Sequence, residues 1–560
     1  MAESAHVPTI SPEASGGAIA SVAPQQEEPL WARLVMPSIS DIVFVALVCA
    51  LTFGIWGPQL LSDADIGWHI RNGEHILATR SVPHTDYFSY TMVGQPWFAW
   101  EWLYDLVISS VHSVDGLNGV VIFSGVVIAL TLALLFRLAL KSSGNLLVAL
   151  SLTLLSGAAA SVHFLARPHV LSWLFTLIWA QTLRSFQRGE RKHVWILLPL
   201  TVLWTNLHGG FLVGFALLGL YLAGNVWTWC TTSCPESRSR ATGRVRRLGM
   251  LLPLSVAASV VNPYGYRLYM HLYEYLSSSF LMDNIMEFLS PNFHLLQVKC
   301  FAALLVLMLL ALSVSVSKVS AADVLTLAFA TWIGLYAARN VPIGSILITL
   351  TIAPILGTAI RNVPDQSNVT CWLRGLASKL ETFSARMKAM ELRFNSHLLA
   401  AVVLALVVAI GISGHRASGQ KLISPNTRKA DAQAPLLSLY FDEKQMPVHA
   451  AEYMASHDIS THFFAPDEWS GYLIYRLYPN VRVMFDDRHD LYGEKSVREY
   501  LKLTHVGYGW RDVLDKNKVN WVLLRPDSPL ANTLKAAGDW KTIYDDGTAI
   551  LFARAMPLTS

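Results

Sequence analysis

The sequence predicts a mainly α-helical protein, in which a polytopic membrane helix bundle is followed by a small α/β domain. The 560-residue chain is 53% hydrophobic and only 15% charged, whereas soluble domains carry about 25% charged residues. Apolar runs close to the length of a membrane span recur from Ile42 to Gly414. Beyond Gly414 the composition is that of a soluble domain, so the chain divides into a membrane part and a soluble tail.

A span needs about 17–25 mostly apolar residues. On that basis we predict about eleven spans, at 39–57, 117–137, 145–163, 168–185, 193–207, 210–230, 249–263, 299–317, 321–338, 341–360 and 396–414. The first follows a polar leader without a basic n-region, so it is expected to be a retained helix and not a signal peptide. The predicted organisation is a disordered leader (1–36), a transmembrane domain (37–414), a linker (415–446) and the α/β domain (447–560).

Basic residues cluster in loops such as 184–192 and 238–247, and such loops are expected to be cytoplasmic. An odd number of spans puts the tail on the side opposite the amino terminus, and with the basic loops in the cytoplasm the leader is expected there too. The first outer loop (58–116) and the tail then share the outer side. We therefore expect a protein of the bacterial inner membrane with a periplasmic carboxyl-terminal domain.

Outside the spans, helical patterns predict two amphipathic helices in the first outer loop, Ile66 to Ala78 and Trp97 to Val111, both lying at the membrane interface. A tyrosine-rich outer segment, Asn262 to Gln297, is expected at headgroup level, and a basic helix, Cys371 to Phe394, on the cytoplasmic surface.

The tail interleaves two predicted helices with four predicted strands, as in a small α/β domain. The helices are 450–456 and 471–478, and the strands are 461–465, 481–485, 521–524 and 549–552.

The most informative segment follows the first span: Asp63-Ala-Asp65-Ile-Gly-Trp68-His69-Ile-Arg71. Carboxylates, a histidine and an arginine stand where the chain leaves the membrane. Other polar residues fall at the same predicted depth, at the outer ends of spans, and ionisable groups at that depth usually face a cavity or each other. These residues are His163, Arg167, His169, Asn206, His208, Asn262, Arg339 and Asn340.

This set of polar residues suits the transfer of a sugar from a lipid-phosphate carrier. A carboxylate takes the proton of the incoming hydroxyl and cations neutralise the departing phosphate. We predict Asp63 or Asp65 as the base. The polar residues at the span ends, together with His69, Arg71 and Glu101, are predicted to bind substrate. An Asp-x-Asp pair is also able to hold a divalent cation beside a phosphate, so a metal is left open.

Each group has a structural alternative. Arg167 and Arg339 are able to reach the interface as long basic side chains at helix ends do. Each histidine is able to serve as a hydrogen-bonded interface residue, and Asp63 and Asp65 are able to cap the following helix.

The layout and the Asp63 motif resemble the GT-C superfamily of integral-membrane glycosyltransferases, which includes protein O-mannosyltransferases and the aminoarabinose transferase of lipid A. A closer similarity, to bacterial membrane proteins of this kind, rests on Gly94-Gln-Pro-Trp97, Trp469-Ser-Gly-Tyr472 and Phe485-Asp-Asp487-Arg488. The resemblance implies a polyprenyl-phosphate sugar as donor and an acidic base at Asp63 or Asp65. The chain lacks the adjacent Asp-Glu pair of better-studied members, which leaves open which aspartate acts.

In the tail, Asp487 and Arg488 follow a predicted strand, where ligands of α/β domains often bind. They are interpreted either as contacts to the acceptor or as a buried structural pair.

The predicted function is transfer of a sugar from a polyprenyl-phosphate carrier to a glycan, lipid or protein acceptor. Two alternatives stay open. One is a flippase or transporter of a lipid-linked glycan, although transporters generally place polar residues near mid-membrane. The other is a non-catalytic assembly protein of the cell envelope that uses the tail for docking. No nucleic-acid partner is expected.

Overall fold

The computed structural model describes residues 35–190, 193–315, 319–362, 370–394, 396–419, 436–459 and 462–556. Most of the predicted leader (1–36) and half of the predicted linker (415–446) therefore lie outside the described residues. The predicted domain limits remain predictions.

The membrane part is a helix bundle. Its helices are α1 Ile39–Phe53, α2 Trp56–Gln59, α3 Ile66–Thr79, α4 Trp102–Ser143, α5 Leu146–Ala160, α6 His169–Gln187, α7 Leu197–Leu207, α8 Phe211–Thr231, α9 Pro235–Ser259, α10 Arg267–Ser277, α11 Ser279–Asn284, α12 Leu296–Ser313, α13 Ala321–Tyr336, α14 Val341–Arg361, α15 Cys371–Arg393 and α16 Leu398–Gly419. Each of the eleven segments predicted to span the membrane falls on one of these helices.

Six segments of the described chain are long and apolar enough to cross a membrane: Trp102–Ser143, Leu146–His163, Phe211–Thr231, Leu296–Ser313, Ala338–Arg361 and Leu398–His415. Three shorter helices, α1, α7 and α13, are also apolar. The protein is thus a helical membrane protein, as predicted. The count of eleven spans and their orientation remain predictions.

Two features of the first outer loop differ from the prediction. The second expected interface helix and the next span form one long helix, α4, which is interrupted only at Gly116, where φ is +56°. Helix α3 is not surface-lying, because Trp68, His69, Ile70 and Asn72 are all buried. It packs instead between α4 and a helix of the tail.

The tail is a small α/β domain, as predicted. Its elements are α17 Val448–Ser456, β1 Phe463–Phe464, α18 Asp467–Leu477, α19 His489–Thr504, α20 Trp510–Lys516, β2 Trp521–Leu524, α21 Pro529–Ala536, β3 Trp540–Asp545 and β4 Ile550–Arg554. The sheet order is β1-β2-β4-β3. Strand β1 is parallel to β2, with Phe463 beside Trp521, and β4 is antiparallel to both its neighbours.

The predicted strand 481–485 is wrong. Val483 makes only an isolated bridge with Ser89 of the first outer loop, and its backbone N–H donates to the Phe88 carbonyl. Val481, Val483 and Phe485, apolar residues of the predicted strand, are buried, and the contacts of Val483 place this segment beside that loop. The segment therefore joins the tail to the first outer loop, and the residues after it do not follow a sheet strand.

Candidate active site

Asp63 and Asp65 lie in the turn between α2 and α3, where the chain leaves the first apolar helix. Asp65 is 1% exposed, and its backbone N–H donates to Asp63 Oδ1 over 2.9 Å. Asp65 stands at the amino-terminal end of α3 but makes no side-chain capping hydrogen bond. The capping alternative therefore does not apply to Asp65, and its carboxylate is available for other contacts.

Arg167 provides the main contact of both aspartates. Its Nη2 lies 2.7 Å from Asp65 Oδ2, and its Nη1 lies 3.0 Å from Asp63 Oδ2. The short loop that carries Arg167 is fixed by its neighbour Ala166, whose N–H donates to Leu60 and whose carbonyl accepts from Tyr104. The guanidinium is thus held against the turn that contains the two carboxylates.

A third carboxylate, Glu287, was not predicted from the sequence. Its Oε1 lies 2.6 Å from Arg167 Nη1, and its Oε2 lies 3.8 Å from Arg339 Nη1. Burial raises the pKa of Glu287, but the charges of Arg167 and Arg339 outweigh burial and hold that pKa well below its usual range. Glu287 is therefore the anion that bridges the two arginines.

These groups open into a cavity of about 330 Å³. Of the residues predicted to form the site, those that line it are Asp63, Asp65, Glu101, Arg167, Arg339, Asp487 and Arg488. Aromatic rings form much of the remaining wall: Trp68, Trp97, Phe98, Trp100, Tyr275 and Phe288. The cavity thus combines carboxylates, arginines and flat apolar surfaces, as a binding site for a charged and partly apolar ligand requires.

The tail contributes one side of this cavity through Asp487 and His489. One carboxylate oxygen of Asp487 lies within 4.8 Å of one from each of Asp63 and Asp65. Burial raises the pKa of Asp65 to about 6, against the opposing charge of Arg167. Burial, together with the nearby Asp65, also raises the pKa of Asp487 well above its usual value. The state in which Asp65 and Asp487 are both ionised is therefore disfavoured.

Arg488 forms a buried ionic network. Its Nη1 lies 2.8 Å from Asp86 Oδ1, and its Nη2 lies 2.7 Å from Asp486 Oδ2. The residue is 3% exposed, and its guanidinium lies over the Trp97 ring. The structural alternative for Arg488 is thus realised, since the network joins the tail to the first outer loop, and Asp487 beside it faces the cavity.

Two carboxylates of the cavity lining, Glu101 and Asp105, contact histidines. His69 Nδ1 lies 2.5 Å from Asp105 Oδ1, and Glu101 Oε1 lies 3.6 Å from His208 Nε2. Burial lowers the pKa of His69 to about 4 and raises that of Glu101 to about 7. His69 is therefore a neutral imidazole near pH 7.

The other predicted residues do not line the cavity. Arg71 donates to the Tyr475 carbonyl and pairs with Glu74. His169 Nε2 lies 2.9 Å from the carbonyl oxygen of His163. Asn206 accepts from Trp102 Nε1.

Two asparagines occupy turns. The Asn262 side chain accepts from the backbone of Tyr264, and Asn340 ends the short 3₁₀ segment Ala338–Asn340 that carries Arg339. Neither asparagine is part of the cavity lining.

Two clusters of the described residues have ligand atoms close enough together to hold a cation. One is Asp63, Asp65 and Asp487, and the other is Asp467, Asp487 and His489. In the first, Asp65 Oδ1 is buried and accepts no hydrogen bond from an N–H or hydroxyl group, and the carboxyl groups of Asp65 and Asp487 are hydrogen-bonded to each other. Carboxylate oxygens suit Mg²⁺, Mn²⁺ or Ca²⁺, so the first cluster fits a divalent cation chemically.

Sequence comparison finds no matching protein-family model and no matching curated protein. Comparison with solved structures finds similar chains. The apo oligosaccharyltransferase of Archaeoglobus fulgidus is 11% identical, with a TM-score of 0.46 over 86% of this chain and 69% of that chain. AglB of the same organism, in complex with an inhibitory peptide and a dolichol-phosphate, is 11% identical, with a TM-score of 0.49 over 91% of this chain and 73% of that chain.

ArnT from Cupriavidus metallidurans, bound to undecaprenyl phosphate, is 13% identical, with a TM-score of 0.41 over 91% of this chain and 97% of that chain. All three similarities are distant, at 11–13% identity and TM-scores below 0.5. At these identities they assign neither an activity nor a substrate to the chain.

Proposed function

We propose that this protein is a membrane glycosyltransferase that moves a sugar from a polyprenyl-phosphate carrier to a glycan, lipid or protein acceptor. One observation carries the proposal. A buried aspartate with one oxygen on Arg167, and with a second oxygen that accepts no hydrogen bond from an N–H or hydroxyl group, faces a cavity that also contains Arg339. A base and a separate cation in one cavity are what transfer of a glycosyl group from phosphate requires.

Asp65 is the proposed base. The acceptor hydroxyl oxygen forms a bond to the anomeric carbon and its proton passes to Asp65. The bond between the anomeric carbon and the phosphate oxygen breaks, and its electron pair leaves with the phosphate. Asp65 suits this role because Arg167 fixes one oxygen and the other accepts no hydrogen bond from an N–H or hydroxyl group, and because a pKa of about 6 keeps it ionised at neutral pH while still basic.

Arg339 is the proposed cation for the leaving phosphate. Arg167 is already neutralised by three carboxylates at 2.6–3.0 Å, whereas the ion pair of Arg339 with Glu287 spans 3.8 Å. The looser pair leaves more of the Arg339 charge available to an incoming phosphate. Arg167 then acts mainly to position Asp65.

The aromatic wall is proposed to hold the sugar. Trp97, Trp100 and Tyr275 line the same cavity as Asp65 and Arg339. Flat rings bury the apolar face of a sugar while carboxylates accept hydrogen bonds from its hydroxyls. Asp487 and Asp490, contributed by the tail, are the proposed contacts for the acceptor.

Asp63, Asp65 and Asp487 are the residues that would hold a divalent cation, as their chemistry allows. A bound cation would supply positive charge next to the leaving phosphate. We further propose that the cavity opens to the outer face of the bacterial inner membrane. The leader then lies in the cytoplasm, the tail lies in the periplasm, and the carrier tail lies along the apolar helices.

The test is incubation of purified full-length protein with a panel of radiolabelled polyprenyl-phosphate sugars and a membrane extract as acceptor source. If the protein transfers the sugar, polyprenyl phosphate is released and the label appears in an acceptor. Arg339→Gln should reduce release about tenfold or more, as loss of one charge-stabilising group does. The exposed Arg246→Gln is the matched control. Movement of intact labelled carrier across proteoliposomes without release would indicate a transporter instead.

A further inference from the structure

A second cavity, of about 400 Å³, lies at the opposite end of the helix bundle. Its walls include Arg184, Arg188, Tyr221, Asp323 and Thr351. Helix α6 begins beside Arg167 and carries Arg184 near its other end. At 1.5 Å per residue, Arg184 lies roughly 22 Å along the axis from His169. This cavity is therefore separate from the candidate active site.

The ion pairs that the described residues form with the arginines of this second cavity are long. Arg184 is 6% exposed, yet its Nε lies 3.8 Å from Asp323, and its Nη1 donates to the Leu350 carbonyl. Arg188 Nη1 lies 3.8 Å from Glu190. Arg167, by contrast, has three carboxylates at 3.0 Å or less. Because burial of a loosely paired guanidinium is costly, the cavity favours an additional anion.

The negative charge of Asp323 does not remove the preference of this cavity for an additional anion. Asp323 lies in the first turn of α13, where its Oδ2 accepts from the Ser320 hydroxyl over 2.8 Å. The lining therefore holds two arginines against one aspartate. Tyr221 and Thr351, both 2% exposed, also carry hydroxyl groups at the cavity, and hydroxyls are able to donate to phosphate oxygens.

We infer that this second cavity binds the phosphate group of an anionic membrane lipid. The wall also includes Pro354 and Ile355 of the apolar helix α14, which suit the glycerol and upper acyl region of a lipid. Basic pockets between membrane helices bind anionic headgroups, and the cytoplasmic leaflet is rich in them. Arg184 and Arg188 both lie at this end of the bundle. The inference does not depend on the proposed glycosyl transfer.

The test uses full-length protein in nanodiscs of phosphatidylcholine, with or without phosphatidylglycerol. After extraction into detergent, native mass spectrometry measures how many phosphatidylglycerol molecules remain bound, and a titration gives their affinity. Arg188→Gln is the main variant, because Arg188 is half-exposed and its loss leaves the bundle contact of Arg184 intact. Arg246→Gln, an exposed arginine on α9, is the matched control.

The wild type and Arg246→Gln should each retain phosphatidylglycerol, and Arg188→Gln should bind it about fivefold more weakly, as expected for one arginine near an anionic headgroup. In a parallel arm, inorganic phosphate replaces the lipid. Competition by inorganic phosphate at similar affinity would support the phosphate site but assign a free phosphate as its ligand. Equal retention by the wild type and Arg188→Gln, or no retention by the wild type, would overturn the inference.

Discussion

The guanidinium of Arg167 lies 2.7 Å from one carboxylate oxygen of Asp65, and the other oxygen of that carboxylate is buried and accepts no hydrogen bond from an N–H or hydroxyl group. One oxygen is therefore fixed while the other is available to a ligand. A carboxylate that served only to neutralise Arg167 would gain from hydrogen bonds to both oxygens. This asymmetry distinguishes Asp65 from Asp63, whose two oxygens accept from the Asp65 backbone and from Arg167.

Asp65→Asn is expected to lower sugar transfer by about 100-fold or more, because loss of a general base costs that much. Asp63→Asn should have a smaller effect, since Asp63 mainly positions Arg167. The exposed Asp512→Asn, in the tail, is the control for a lost carboxylate. Transfer rates and the thermal unfolding temperature are measured together. Full activity in Asp65→Asn would remove Asp65 as the base.

The pH dependence of transfer should report the ionisation of Asp65. Its pKa is raised to about 6, chiefly by burial, so the base is protonated and inactive below that pH. We expect kcat/KM to fall tenfold per pH unit below about pH 6 and to level off above it. The residual activity of Asp65→Asn should lack this acid limb. An unchanged limb in the variant would assign the titration to another group.

The same raised pKa affects stability. The folded protein binds the Asp65 proton more tightly than the unfolded chain does. The contribution of Asp65 to stability should therefore decline as pH rises from about 4 to about 6. Thermal unfolding of the wild type and of Asp65→Asn over this range measures the difference, and parallel curves for the two proteins would contradict the assignment.

If a divalent cation binds at Asp63, Asp65 and Asp487, treatment with EDTA should reduce transfer and added Mn²⁺ or Mg²⁺ should restore it. Asp487→Asn should then raise the Mn²⁺ concentration needed for half-maximal activity about tenfold or more, because one of three carboxylate ligands is lost. Asp512→Asn, which removes an exposed carboxylate outside both cation clusters, serves as the control. Transfer that is indifferent to EDTA would favour the arginines alone as the phosphate-binding cations.

The sequence predicted the parts of this site that follow a strong local signal. Asp63, Asp65, Arg167 and Arg339 are ionisable residues at the ends of long apolar runs, where charge is conspicuous. Glu287 had no such signal, because it lies in a mixed aromatic segment and acquires its role only by meeting Arg167.

The tail was harder to predict for a related reason. The segment 481–485 has the apolar residues of a strand. It lies against the first outer loop, however, and is not part of a sheet. Strand β3 was missed because most of its residues are not buried, which weakens the apolar pattern that identifies strands. The helical membrane part, by contrast, follows directly from the length of its apolar runs.

Arg488→Gln should destabilise the junction between the tail and the first outer loop. The change leaves the carboxylates of Asp86 and Asp486 buried without a cation, and breaking a buried ion pair from one side costs about 3–5 kcal/mol. Arg525→Gln is the matched control, because its pair with Glu468 is exposed and such pairs contribute about 0–1 kcal/mol. Thermal unfolding in detergent measures both. Similar unfolding temperatures for the two variants would show that the buried network adds little stability.

Gly471→Ala should move the tail away from Asp65. Helices α3 and α18 approach so closely that a methyl group on Gly471 would overlap the Ala64 carbonyl, and one on Gly67 would overlap the Gly471 carbonyl. Since the obstacle is backbone, α18 has to shift, at a cost of about 1–3 kcal/mol. The shift displaces the turn that holds Asp65. Loss of transfer with faster proteolytic release of the tail is expected. Gly507→Ala, whose methyl group would meet its nearest heavy atom at 3.6 Å, should change neither, and normal activity in Gly471→Ala would show that the site tolerates movement of α18.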